Sequence, residues 1–153
     1  MITQPTSARL IDVVREELRT NVLPKVADDP AAAGSLQMID QVLETLSRRA
    51  TNEIAWMVEE IATLDALGGR IVGELPQAAK TAAALDALRA MDGSRLDLAG
   101  VSERYSTASE ILSCAVEEVP LDAAPRGDVE AALDARLAHE LEIIGDFQLV
   151  GRQ

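Results

Sequence analysis

The sequence contains few aromatic side chains: one tryptophan, one tyrosine and one phenylalanine among 153 residues. A core must therefore be built from aliphatic residues and alanine, since apolar residues make up 48% of the chain. Such a core suits closely packed helices better than sheets, which draw on aromatic and β-branched residues. Strand-forming residues also never gather in an alternating run, so the sequence predicts an all-α fold.

Cysteine is nearly absent, and Cys114 stands alone. A single cysteine cannot form a disulfide within the chain, which fits a reducing compartment and predicts a cytoplasmic location. Cys114 falls in a predicted helix among Ile111, Leu112 and Ala115. We therefore expect it to be a buried small apolar residue rather than a nucleophile.

Histidine is equally scarce, and its scarcity excludes several metal chemistries. A ferritin-like di-iron site requires two Glu-x-x-His pairs, but His139 is the only histidine and Arg136 lies three residues before it. Zinc centres require more cysteine and histidine than this chain has. The glycine-rich motifs of nucleotide-binding loops are also missing. The sequence thus predicts no metal and no cofactor, and favours a non-catalytic protein while leaving an enzyme open.

Positive charge is in short supply, and the net charge is −12. Residues 1–96 carry 14 acidic and 10 basic side chains (−4), and residues 97–153 carry 12 and 4 (−8). Such a field repels nucleic acid and anionic lipid surfaces, so we expect neither as a partner. The first residues lack a basic segment followed by an apolar run, so we expect no signal peptide, and no stretch approaches the roughly 20 apolar residues of a membrane span.

Apolar residues at helical spacing predict about five helices. The first opens at Thr6 or Ser7 and ends or kinks at Pro24. The third follows Pro76 and reaches Met91, the fourth spans about 101–119, and the fifth about 128–144. Short connections between them predict an antiparallel helical bundle in a single domain over residues 1–153.

The second helix is predicted to be unusually long, from about Pro30 to Leu67, where Gly68 and Gly69 would stop it. Its apolar residues form one continuous seam. These are Leu36, Ile39, Leu43, Leu46, Ala50, Ile54, Met57, Ile61 and Leu64. At 1.5 Å per residue the helix would extend ~57 Å, longer than a small domain. Either it breaks near Ala50–Asn52, or it extends beyond the bundle and requires a partner.

A polar strip borders this seam within the stretch RRATNEIAWMVEEI (48–61). On a helical projection Arg49, Glu53, Trp56 and Glu60 share one flank, with Arg49–Glu53 and Trp56–Glu60 at i,i+4 spacing. One interpretation is an ion pair at a helix edge, covered by Trp56. A second is a ligand pocket that uses Tyr105 as well, in which burial raises the pKa of Glu53 and Glu60 and Arg49 anchors an anion. A third is a protein interface.

The N-terminal half resembles a family of small bacterial helical proteins encoded beside enzymes similar to aminoglycoside/choline phosphotransferases and acyl-CoA dehydrogenases. The resemblance covers residues 5–65 and rests on the apolar first helix, the exit Val22-Leu23-Pro24, the acidic turn and the following seam. It implies an accessory to an enzyme of acyl-CoA or small-alcohol metabolism, and it implies no active-site residues.

Two hypotheses follow. The first is a non-catalytic helical protein that self-associates, as a homodimer for example, or binds a metabolic enzyme as an accessory subunit. It explains the overlong second helix and the missing catalytic motifs. The second is a bundle that binds or converts a small anionic or acyl molecule in a pocket around Arg49, Glu53 and Glu60.

Overall fold

The computed structural model describes residues 4–145, and in this range it consists of helices and their connections, without strands. Five α-helices follow one another: α1 (Ser7–Glu17), α2 (Pro30–Glu74), α3 (Ala79–Ala90), α4 (Leu98–Glu118) and α5 (Arg126–Ile144). The predicted all-α bundle with one long second helix is confirmed. None of these helices combines the length and the apolar composition needed to cross a membrane.

Helix α1 begins where the sequence predicts, but its α-helical pattern ends at Glu17, before Pro24. Thr6 caps it, because its hydroxyl accepts a hydrogen bond from the backbone N–H of Arg9 at 3.3 Å. Beyond α1 the chain continues as a π-helix (Leu18–Val22) and a 3₁₀-helix (Leu23–Lys25). Pro24 has no N–H to donate to the preceding turn, so the regular α-helical pattern cannot continue through it.

Helix α2 is continuous through Ala50–Asn52, so the alternative of a break at these residues is wrong. It also passes through Gly68 and Gly69, where we expected a stop. The reason is packing: a Cβ atom at Gly68 would lie 3.0 Å from Cγ2 of Ile111 and 3.2 Å from Cδ1 of Leu85. Gly68 therefore permits the close approach of neighbouring helices rather than ending its own.

The described chain divides into two compact units: residues 4–53 with 140–145, and residues 54–139. Helices α2 and α5 each contribute to both. The second unit holds the hydrophobic core, to which all four of its helices contribute. Its helical members are Ile61, Leu64, Leu67, Ile71, Leu85, Leu88, Val101, Ala108, Ile111, Leu112, Ala115 and Val129. The prediction of a single domain over residues 1–153 stays a prediction.

The one buried polar residue of the described core, Thr81, lies in the first turn of α3. The carboxylate of Glu118, at the end of α4, accepts hydrogen bonds from the backbone N–H groups of Lys80 and Thr81 and from the Thr81 hydroxyl, at 2.8–3.0 Å. This side chain replaces the cap that Ala78 cannot supply. These bonds also hold the end of α4 against the start of α3.

The first unit contains a helical hairpin of α1 and the N-terminal part of α2, together with the end of α5. Polar pairs set its antiparallel register: Asp12 with Ser47 at 2.9 Å, Arg15 with Glu44 at 2.8 Å, and Arg19 with Asp40 at 2.6 Å. Arg15 also contacts Asp40, so two guanidinium groups share one carboxylate. None of the described side chains from residue 4 to residue 53 is buried.

Candidate functional site

The carboxylate of Glu60, in the middle of α2, is the centre of a polar cluster in the second unit. Its side chain is 13% exposed and contacts residues of two other helices. Oε2 accepts hydrogen bonds from the Tyr105 hydroxyl at 2.9 Å and from Nε of Arg136 at 3.0 Å. Oε1 lies 2.9 Å from Nδ1 of His139. Both carboxylate oxygens are thus occupied by partners from α4 and α5.

Arg136 is held by further contacts. Its guanidinium carbon lies 5.1 Å from the centre of the Tyr105 ring, a cation–π contact. Its Nη2 donates to the hydroxyl of Ser109 at 3.1 Å, and that hydroxyl donates to the backbone carbonyl of Tyr105 at 2.9 Å. Tyr105, Ser109 and Arg136 therefore form one network with Glu60, which fixes the orientation of each side chain.

Trp56 stacks on His139 one helical turn before Glu60. The two ring centres are 4.6 Å apart and the planes differ by 7°. Since the hydrogen bond of Nδ1 to Glu60 fixes the imidazole plane, the same bond sets the surface against which the indole packs. The single tryptophan of the chain thus covers one side of the Glu60 cluster.

The pKa of Glu60 is lowered. Burial by itself raises the pKa of this carboxyl, but the hydrogen bonds from His139, Arg136 and Tyr105 favour the ionised form and outweigh the burial. The expectation of a raised pKa at Glu60 is therefore wrong. A carboxylate whose ionised form is favoured by its hydrogen bonds is a weaker base than an ordinary carboxylate.

Arg49 and Glu53 belong to the first unit and form the ion pair that their i,i+4 spacing predicts. The hydrogen bond from Arg49 to Glu53 raises the pKa of the arginine further above its ordinary value. The Arg49 side chain is half-exposed, and its guanidinium is already engaged with a carboxylate. Anion anchoring by Arg49 would have to compete with Glu53.

Sequence patterns alone did not single out two members of the Glu60 cluster, Arg136 and His139. The single histidine, His139, contacts both Trp56 and Glu60. The available signal was the i,i+3 spacing of Arg136 and His139 on one face of α5. Nothing in the sequence indicated which carboxylate that face would meet.

Cys114 is half-buried rather than buried. Burial raises the pKa of its thiol, and the neighbouring carboxylates of Glu118, Glu110 and Glu117 raise it further. A thiol held in the protonated form is a weak nucleophile. This agrees with the expectation that Cys114 has no nucleophilic role.

Comparisons with models of protein families, with curated proteins and with solved structures find no match for this chain. The resemblance of residues 5–65 to a bacterial helical family stays a prediction. Evidence for a function therefore comes from the contacts and exposed surfaces of the structure itself.

Proposed function

We propose that the chain is a self-associating helical protein whose first unit packs against the same unit of a second copy. The observation that supports this is an exposed apolar face on the α1–α2 hairpin. Five aliphatic side chains form it, each between 45% and 56% exposed. They are Leu10, Val14, Ile39, Val42 and Leu46.

These side chains share one side of the hairpin. At about 100° per residue, Leu10 and Val14 fall on the same flank of α1, and Ile39, Val42 and Leu46 on one flank of α2. Because the ion pairs fix the antiparallel register, both flanks lie on the same side of the hairpin. Ile11 and Leu43 are half-buried between them. The result is one continuous apolar face, opposite the polar groups of Asp12 and Glu44.

The size of this face fits a dimer. It exposes on the order of 500 Å² of apolar surface, close to the largest patch that monomers usually tolerate. Two such faces in contact would bury about 1,000 Å², which is the lower limit for a specific interface. Pairing two hairpins in this way would produce a four-helix bundle.

Charge also favours the first unit as the contact. The segments of the first unit, residues 1–53 and 140–153, carry 11 acidic and 7 basic side chains, a net of −4, whereas residues 54–139 carry 15 and 7, a net of −8. Two copies of an acidic chain repel each other least through their least charged parts. A dimer formed through the hairpin makes its contact with the less acidic unit.

The test is the molar mass in solution of the wild type, of Leu46→Glu and of Leu121→Glu, by light scattering across a concentration series. Leu121 is 81% exposed and lies outside the apolar face, so its variant is a matched control for charge. We expect the wild type and Leu121→Glu to reach twice the 16.3 kDa of one chain. Leu46→Glu should dissociate at least about tenfold more readily, because it places a charge in an apolar contact.

Circular dichroism checks that Leu46→Glu retains its helices, which we expect because Leu46 is half-exposed in the single chain. A wild type that stays monomeric over the whole series contradicts the proposal. So does a Leu46→Glu variant that dimerises as strongly as the wild type.

A further inference from the structure

A cleft in the second unit lies apart from the Glu60 cluster and contains an arginine whose buried Nε–H has no hydrogen-bond partner in the described part of the chain. Its volume is about 340 Å³, within the range of small-molecule sites. Helix α2, the end of α3 and helix α4 line it. Its apolar wall comprises Val58, Ile61, Leu88 and Met91, and its charged groups are Asp65, Arg89 and Arg104.

Arg104 is the unusual member of this set. Its Nε–H is buried and has no hydrogen-bond partner among the described residues. Every other basic residue of segment 54–139 forms an ion pair with a carboxylate. These are Arg70, Lys80, Arg89, Arg95, Arg126 and Arg136. An unpaired guanidinium is unexpected in a segment with 15 acidic and 7 basic residues, because leaving a buried donor unsatisfied costs free energy.

The nearby carboxylates are engaged elsewhere. Asp65 accepts from Nε of Arg89 at 2.7 Å and from its Nη2 at 3.4 Å. Asp92 accepts from the backbone N–H of Ser94 at 2.8 Å, and this bond is the main reason that its pKa is lowered; the charges of Arg95 and Arg104 lower it further. Asp92 attracts Arg104 but does not line the cleft, so with Asp65 balanced by Arg89 the lining side chains retain one positive charge, that of Arg104.

We propose that this cleft binds a small organic anion whose carboxylate or phosphate group pairs with Arg104 and whose apolar part lies against Met91 and Ile61. A planar guanidinium presents several N–H donors that match the two oxygens of such a group. The apolar wall accommodates a short chain or ring and contributes through the hydrophobic effect. The site does not depend on self-association, because all its residues lie within 58–104.

Met91 supplies a local probe, because its methyl group lies in the cleft wall. We would label the methionine methyl groups with ¹³C and titrate the protein with hexanoate and with phenyl phosphate, whose head groups represent the two oxyanion classes. A saturable shift of the Met91 resonance with at least one of them is expected, while Met38 of the first unit stays unchanged. No shift of Met91 with either probe would overturn the proposal.

Arg104→Met removes the charge and keeps an apolar stem, and we expect it to weaken binding at least about tenfold. Arg126→Met is the matched control: it makes the same change at a similarly covered arginine that is paired with Glu130. It should bind the probe as the wild type does. Equal affinity of Arg104→Met and Arg126→Met would contradict the role of Arg104.

Gly93→Asp provides a second test that does not remove the arginine. A Cβ atom at Gly93 would lie 3.6 Å from the guanidinium carbon of Arg104, so a carboxylate there can pair with it. We expect this variant to lose probe binding and to unfold at a higher temperature, whereas Gly93→Asn keeps most of the binding. Wild-type affinity in Gly93→Asp would show that the anion does not use Arg104.

Discussion

The part of helix α2 in the second unit buries its apolar residues, whereas the part in the first unit leaves them half-exposed. Ile61, Leu64 and Ile71 are between 0% and 4% exposed, but Ile39 and Leu46 are 48% and 45% exposed. The apolar pattern is the same along both parts. The difference lies in what surrounds them: α3, α4 and α5 enclose the later part, and in the first unit α1 covers only one flank of the earlier part. An identical pattern thus produces a core in one unit and an open surface in the other.

The largest expected difference between the units follows from an identical substitution in each. Ile111→Ala removes a fully buried side chain of the second unit and should lower the free energy of unfolding by about 3–4 kcal/mol. Ile39→Ala changes a half-exposed residue of the first unit and should cost less than about 1 kcal/mol in the single chain. Chemical denaturation followed by the fluorescence of Trp56 measures both. Similar losses would contradict the contrast between core and surface.

An intermediate effect is expected for the buried carboxylate. Because the folded-state pKa of Glu60 is below its ordinary value of 4.5, the unfolded chain binds this proton more readily. The stabilisation from Glu60 is therefore complete above about pH 4.5 and is lost as the pH falls through the folded-state pKa. Glu60→Gln should cost about 2 kcal/mol at neutral pH, since an amide N–H₂ would face a donor.

Denaturation at neutral pH and at about pH 3 checks this prediction, because Glu60→Gln should lose part of the acid dependence of the wild type. Glu53→Gln is the matched control in the first unit, where the ion pair with Arg49 is more exposed and should contribute less than about 1 kcal/mol. An unchanged acid dependence in Glu60→Gln would show that the cluster does not stabilise the ionised carboxylate.

The smallest expected effect on stability is that of alanine substitutions at two glycines of α2. Gly68→Ala introduces a Cβ atom 3.0 Å from Ile111 and should destabilise the protein by about 1–2 kcal/mol through overpacking. Gly73→Ala meets no atom within 4 Å and should stabilise it by about 0.5–1 kcal/mol, because alanine favours the helix. Thermal unfolding of both variants tests whether neighbouring helices pack closely against α2 at Gly68 but not at Gly73. A shift of the same sign in both would exclude the contact with Ile111 as the cause.

Local rules predicted most of the helices but were wrong at Gly68 and Gly69. The Thr6 hydroxyl caps the helix that directly follows it, so the start of the first helix could be predicted from its sequence. A pair of glycines permits two outcomes, a helix stop or a close contact, and the choice depends on Ile111 and Leu85, which are distant in sequence.

In the candidate site, too, contacts within one helix could be predicted from the sequence, whereas contacts between helices could not. The pair Arg49–Glu53 follows from spacing within one helix and was predicted. The environment of Glu60 depends on Arg136 and His139, more than 70 residues away in the chain. Burial alone predicts a raised pKa, and only the donors brought by α4 and α5 reverse its direction.

By itself the sequence determined the helical class, the long second helix and the absence of several catalytic motifs, because these depend on composition and on spacing along one helix. Only the tertiary structure decided which part of the apolar seam is buried, which donors surround Glu60 and that the buried Nε–H of Arg104 meets no acceptor within residues 4–145. These properties depend on helices that meet in space, and the spacing of residues along one helix does not specify the neighbour that it packs against.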